Sequence, residues 1–231
     1  AGSAKYGALV WSGDIVSTFE CFRRQVQAGL NMAVAGIPWW TTDIGGFHGA
    51  RTDDPDFHRL YIRWFEYGCF CPVMRLHGNR NPQEGYGAEQ IGSGSDNEIW
   101  SFGDKAYEIS KKYIFLRERL RDYIRTQMKK AHEDGTPMMR PVFYDFPTDQ
   151  ESWNVEDAYL FGPDLYVAPV MEDHVTEREV YLPDGTAWFN AWTGEKYEGG
   201  QNVTVAAPLD TIPVFVKEGA DAEKLLNIFS E

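Results

Sequence analysis

Through the first half of the chain, short apolar runs alternate with longer stretches whose apolar residues recur at helical spacing, which predicts successive βα units. Residues 8–11 are an apolar run of strand length, ending at Trp11 and followed by Ser12-Gly13-Asp14. Ser17 and Glu20 then fit a capping box, two side chains that satisfy each other's orphan N–H groups in a first helical turn. The helix expected from there to residue 30 carries Phe19, Phe22, Val26 and Leu30 on one stripe. A second strand is expected at 32–37, followed by Trp39-Trp40-Thr41-Thr42-Asp43 and the turn Ile44-Gly45-Gly46-Phe47. Asp53-Asp54-Pro55 opens the next helix, since Asp suits the N-cap and Pro the first helical position. Its stripe of Phe57, Leu60, Tyr61, Trp64 and Phe65 stops at Gly68, a third strand is expected at 69–76, and His77-Gly78 follows.

A polar, Gly- and Asn-rich stretch at 77–103 is long enough to read as a functional loop. One long amphipathic helix is expected over 104–133, with its Lys and Arg on a solvated face and its stop at Gly135 and Pro137. Beyond it the period shortens. Apolar runs at 138–146, 159–161, 165–170, 180–182, 187–192, 203–206 and 212–216 are separated by turn formers, the signature of a small antiparallel sandwich. A short amphipathic helix is expected from 221. The pattern thus divides the chain into residues 1–150, α/β, and 151–231, all-β. Three parallel strands alone leave open edges, and parallel sheets occur almost only with both faces covered. The first half therefore reads as the last three βα units of a (β/α)8 barrel, with earlier strands supplied ahead of residue 1.

Length permits a sizeable core, with 231 residues, 15% aromatics and 8 tryptophans. A net charge of −13 argues against nucleic acid or an anionic membrane surface as partner, and no apolar run approaches membrane-spanning length. Cys21, Cys69 and Cys71 are too few for a disulfide scaffold. The last two are expected to share a strand face as small hydrophobes, which suits a reducing, cytoplasmic setting.

On a barrel, Asp14, Asp43 and His77 each follow a strand's C-terminal end and so share one rim. Trp11, Trp39, Trp40 and Phe47 accompany them. Carboxylates and an imidazole that hydrogen-bond hydroxyls, with rings that stack on pyranose faces, suit a sugar site in which one carboxyl protonates a leaving oxygen. Asp43 and His77 lack the close-spaced His or Cys companions of a zinc site, so neither a metal nor a cofactor is expected.

The motifs Trp11-Ser12-Gly13-Asp14, Asp43-Ile44-Gly45-Gly46-Phe47 and Arg75-Leu76-His77-Gly78 resemble those of glycoside hydrolase family 31, the retaining α-glucosidases and α-xylosidases. The likeness continues through Pro137-Met138-Met139-Arg140-Pro141, the run from Leu160 to Val170, Tyr181-Leu182-Pro183 and the run from Pro208 to Phe215. It implies Asp14 as general acid/base, with Trp11, Asp43, Phe47 and His77 lining the subsite of the non-reducing-end sugar. Arg75 would orient a carboxylate such as Asp43. The implied substrate is an oligosaccharide or glycoside, with α-glucosidase ahead of α-xylosidase. A non-catalytic carbohydrate-binding module is the reading of another class. The family's nucleophile is an aspartate on an earlier strand, so these 231 residues alone are expected to be inactive and to need the N-terminal part of the same enzyme.

Overall fold

The computed structural model describes residues 6–81 and 95–230. Strand β1 (Val10–Trp11) leads through a short loop into helix α1 (Phe19–Val34). The cap lies one residue later than the Ser17–Glu20 box implies: Thr18 Oγ1 accepts from the Cys21 N–H at 3.1 Å, and Glu20 pairs with Arg24 instead. Ser17 is engaged elsewhere, its N–H donating to the His48 carbonyl at 2.8 Å and its Oγ accepting from Arg80 at 3.4 Å.

Residues 32–34, expected to begin a strand, are the last turn of α1. Met-Ala-Val fits either element, and the helix stop decides. Gly36 adopts φ +78°, while the Gly36 and Ile37 N–H groups donate to the Ala33 and Met32 carbonyls at 3.0 and 2.9 Å. Those two bonds make a Schellman motif, with glycine at the left-handed position. The second strand, β2 (Trp40–Thr41), comes after it and pairs in parallel with β1, Val10 opposite Trp40 and Trp11 opposite Thr41.

Helix α2 (Pro55–Cys69) starts as the sequence implies, with Asp54 accepting from the Asp56 N–H at 2.9 Å. It takes in Cys69, so Cys69 and Cys71 do not share a strand face. Both thiols are buried, and burial pushes each up to about 12. Residues 70–76 run beside β2 without a regular ladder: the Val73 N–H donates to Trp40 O at 3.2 Å and the Ile44 N–H to Arg75 O at 3.4 Å. Arg117 takes the carbonyls of Cys69, Cys71 and Pro72 at 2.6, 2.9 and 3.0 Å, which occupies acceptors a strand would have offered a neighbour.

The single helix expected over 104–133 is two, α3 (Gly103–Arg119) and α4 (Arg121–Glu133), meeting at Leu120, where ψ is −1°. Arg117, with those three carbonyls, and Arg119, donating to Ile228 O at 2.9 Å, fasten the end of α3 to neighbouring chain. These two arginines therefore do not belong to a solvated face.

The second half contains β3 (Met139–Arg140), β4 (Tyr159–Phe161), β5 (Leu165–Val167), β6 (Glu177–Leu182), β7 (Ala187–Asn190), β8 (Lys196–Glu198), β9 (Gln201–Ala206) and β10 (Val214–Lys217). A helix, α5 (Ala222–Ser230), follows. The antiparallel order β3-β4-β5-β10-β7-β8 makes one sheet and β6-β9 the other, so the first strand of the larger sheet precedes residue 150. The run expected to stay extended to 146 turns at Pro141 into a 3-10 turn over Val142–Tyr144.

Strands β4, β5 and β10 read as unbroken apolar runs because both sheet faces are covered. Tyr159, Phe161, Leu165, Val167, Val214 and Val216 join one core with the helices of the first half. The intervening Leu160, Tyr166 and Phe215 enter a second core with Trp188 and with Val180, Leu182 and Val205 of the opposing sheet.

Across that seam, Arg63 of α2 donates to Glu66 Oε2 at 3.2 Å and to the carbonyls of Pro208, Thr211, Val175 and Ala207 at 2.7–3.2 Å. Glu66 is fully buried with Oε1 lacking a hydrogen-bond partner among the described residues, and burial pushes its carboxyl up to about 8 despite Arg63. Unfolded, the carboxyl returns to about 4.3. Between those values the folded chain holds a proton that the unfolded chain releases, so this contribution to stability is full at low pH and declines as pH rises through the window. Glu66→Gln cannot ionise. Its melting temperature relative to the native chain should rise as pH goes from about 5 to about 9. A difference that stays flat across that range would contradict the raised carboxyl.

Candidate active site

Three loops meet at the C-terminal ends of β1, β2 and the 70–76 segment. Asp14 lies in the first, beside Gly13 at φ +76°, and its side chain is exposed. Asp43 lies in the second, two residues past β2, and is 0% exposed. His77 opens the third and is exposed, while Trp11 ends β1 with its residue 48% exposed.

Backbone hydrogen bonds stitch the loops together. Ile15 O accepts from the Phe47 and His48 N–H groups at 2.7 and 2.9 Å, and Phe47 O accepts from the Asn79 N–H at 2.9 Å. The Asp43 N–H reaches Ser12 Oγ at 3.4 Å. Phe47 is half-buried between two imidazoles, its ring 5.3 Å from that of His77 and 4.4 Å from that of His48. Trp40, grouped by sequence with the rim aromatics, is instead buried against α1, where a Cβ on Gly29 would come within 2.6 Å of its Nε1.

Asp43 carries the most distinctive electrostatics. Arg75 Nη1 donates to Asp43 Oδ1 at 2.5 Å, whereas Oδ2 is buried without a partner among the described residues. Burial pushes the Asp43 carboxyl up; the Arg75 and His77 charges pull it down, and the Asp14 carboxylate pushes it up again. That coupling places Asp14, Arg75 and His77 in one field. A carboxylate with one oxygen pinned by a guanidinium and the other unsatisfied is prepared to accept hydrogen bonds from hydroxyl groups. Among the described residues no group of three or more His, Cys, Asp or Glu could hold a metal ion.

Sequence reading overlooked Arg80. Its side chain is 1% exposed beneath the three loops, donating to Gly46 O at 2.8 Å, Ile44 O at 3.1 Å and Asn97 Oδ1 at 2.8 Å. Its burial shows in the space around two glycines. A Cβ at Gly78 would lie 2.6 Å from the guanidinium carbon, and one at Gly45 3.1 Å from Nη2. Part of the expected 77–103 loop, residues 82–94, lies outside the described residues.

Residues 1–127 match the model of the glycosyl hydrolases family 31 TIM-barrel domain, and residues 135–220 that of the glycosyl hydrolase family 31 C-terminal domain. The chain is 38% identical over 220 residues to an alpha-xylosidase of Saccharolobus solfataricus, covering 95% of this chain and 28% of that protein. It is 35% identical over 224 residues to alpha-glucosidase 2 of Bacillus thermoamyloliquefaciens, covering 95% of this chain and 26% of the relative. The crystal structure of a GH31 alpha-xylosidase from a soil metagenome, complexed with xylose, superposes with a TM-score of 0.91 at 53% identity. That match covers 98% of this chain and 34% of the other. The chain thus spans about a third or less of these relatives.

Proposed function

The chain belongs to glycoside hydrolase family 31, and from that premise we propose that it forms the acid/base half of the active site of a retaining, exo-acting α-glycosidase. Asp14 donates a proton to the glycosidic oxygen and then removes one from the water that releases the sugar. The nucleophilic carboxylate comes from a barrel strand outside residues 1–231 and approaches Asp14 to roughly 5–5.5 Å, the spacing that retention requires. Asp43 offers Oδ2 to hydroxyls of the non-reducing-end sugar while Arg75 fixes Oδ1. His77 adds a further hydroxyl contact, and Trp11 and Phe47 supply apolar ring faces.

The observation that carries this reading is the hydrogen-bonded joining of the Asp14 loop to the Asp43 loop, where the buried Asp43 carboxylate pairs with a partly exposed Arg75. The sequence motifs put terminal α-glucose first, and likeness to the xylose-bound structure favours α-xylose. The substrate is an oligosaccharide or glycoside carrying one of these as its terminal sugar.

A full-length enzyme containing this chain should hydrolyse an aryl α-xyloside or α-glucoside and release the α-anomer first, as followed by proton NMR. No turnover of either substrate, or first release of the β-anomer, would overturn the reading. The ratio of the two kcat/KM values decides between xylose and glucose.

A further inference from the structure

We propose that Arg80 is a positioning residue that holds Asp43, Phe47 and His77 in register with Asp14, through a buried guanidinium shared by all three loops. The proposal rests on the functional reading above for its kinetic consequences and on geometry alone for its structural ones.

Each loop has a direct tie to Arg80. From the Asp14 loop, Ser17 Oγ accepts from Nη1 at 3.4 Å. From the Asp43–Phe47 loop, Gly46 O accepts from Nη1 and Ile44 O from Nη2. The third loop is Arg80's own, three residues past His77, and the Asn81 N–H beyond it donates to Ala50 O at 2.7 Å. Asn97 Oδ1 accepts from Nε at 2.8 Å. The guanidinium also lies 4.7 Å over the ring of Phe57, in the first turn of α2. Among the described residues no carboxylate forms a salt bridge with it, and its donors are spent on carbonyls and neutral side-chain oxygens.

A planar fork is what this arrangement needs, because its donors diverge at fixed angles to separate strands of chain. A lysine could carry the charge but not the spread. The two carbonyls belong to the residues that turn the backbone between Asp43 and Phe47, and Gly45 and Gly46 adopt φ +83° and +78° there. Without the fork, that turn keeps its backbone bonds to Ile15 but loses the interior contact that sets its height.

Arg80 also acts through charge. The charged or titratable groups facing Asp43 are Arg75, His77, Asp14 and Arg80, and those facing Arg80 are Tyr61 and Asp43. Burial lowers Arg80 to about 10, so it remains a cation at neutral pH behind the Asp43 carboxylate. Replacing it with a neutral residue removes one of the two arginine cations that favour ionised Asp43. The acid limb of kcat/KM, where Asp43 gains its proton, should then move to higher pH.

The test compares Arg80→Met and Arg80→Lys in the full-length enzyme, with thermal melting to establish folding. Both variants should lose about 10²-fold in kcat/KM, the scale of an ångström-sized misplacement. The acid limb should move up in Arg80→Met and stay in place in Arg80→Lys. Hydrogen exchange, which needs no activity, should show faster exchange at the Gly46, Phe47 and Asn79 amides in both. Folded variants with kcat/KM within about threefold of the parent and unchanged exchange would overturn the proposal. So would a loss of activity that tracks the folded fraction with an unmoved pH profile. A parent enzyme inactive on glycosides would sink the functional reading alone, and the exchange comparison would still decide the role of Arg80.

Discussion

Asp14→Ala is expected to lower kcat/KM on an α-linked disaccharide by about 10²–10⁴-fold, the usual contribution of a positioned general acid. A sugar leaving group departs as an alkoxide unless it receives a proton, so the loss should be concentrated in the glycosylation step. With an aryl substrate whose leaving group needs no proton, glycosylation should proceed, and the covalent intermediate should accumulate because no base activates water. Leaving-group dependence therefore separates loss of acid catalysis from general damage to the site. Folding should be spared. Asp14 is exposed and its carboxylate makes no hydrogen bond among the described residues, so the melting temperature should stay close to the parent's. An Asp14→Ala enzyme that hydrolyses maltose or isoprimeverose at near the parent rate would remove Asp14 from the mechanism.

Asp43→Asn should cost about 10²-fold or more in kcat/KM on every substrate, whatever the leaving group. The carboxylate is fully buried, one oxygen is held by Arg75 at 2.5 Å, and the other has no partner among the described residues. Two hydroxyl hydrogen bonds to a charged acceptor contribute about 1.5–3 kcal/mol each, and an amide in the same shape loses the charge that strengthens them. Binding of the free sugar product should weaken in parallel, which Asp14→Ala should not cause. Arg75 is 34% exposed and can turn towards water once its counterion is gone, so the cost in stability should be the smaller part. Product affinity unchanged in a folded Asp43→Asn enzyme would mean that Oδ2 does not face the sugar.

What could be read from the residues was governed by how local the deciding interaction is. The loop positions of Asp14 and Asp43 were legible because each follows closely on a strand end and lies within two residues of a turn glycine. The opening of α2 was legible because Asp54 and Pro55 set it alone. Residues 32–34 were misread because a three-residue apolar run carries no period of its own, and the glycine that settles it stands at 36. The break at Leu120 was invisible, since it depends on where Arg117 and Arg119 find carbonyls far away in sequence. Strand β8 was missed because Lys196-Tyr197-Glu198 offers one apolar residue, and it forms as the edge partner of β7. Arg80 fell in a stretch that reads as polar loop; only the three-dimensional crowding at Gly45 and Gly78 reveals its burial.

The role of Asp14 is tested most directly by treating the full-length Asp14→Ala enzyme with an activated aryl α-glycoside and azide. The small anion can enter the space the carboxylate vacated and attack the glycosyl-enzyme without base assistance. An acid/base stands on the face from which the α-linked leaving group departs, so azide should accelerate turnover and give the α-glycosyl azide. A β-glycosyl azide would make Asp14 the nucleophile, and no acceleration by azide in a folded enzyme would contradict its assignment as acid/base.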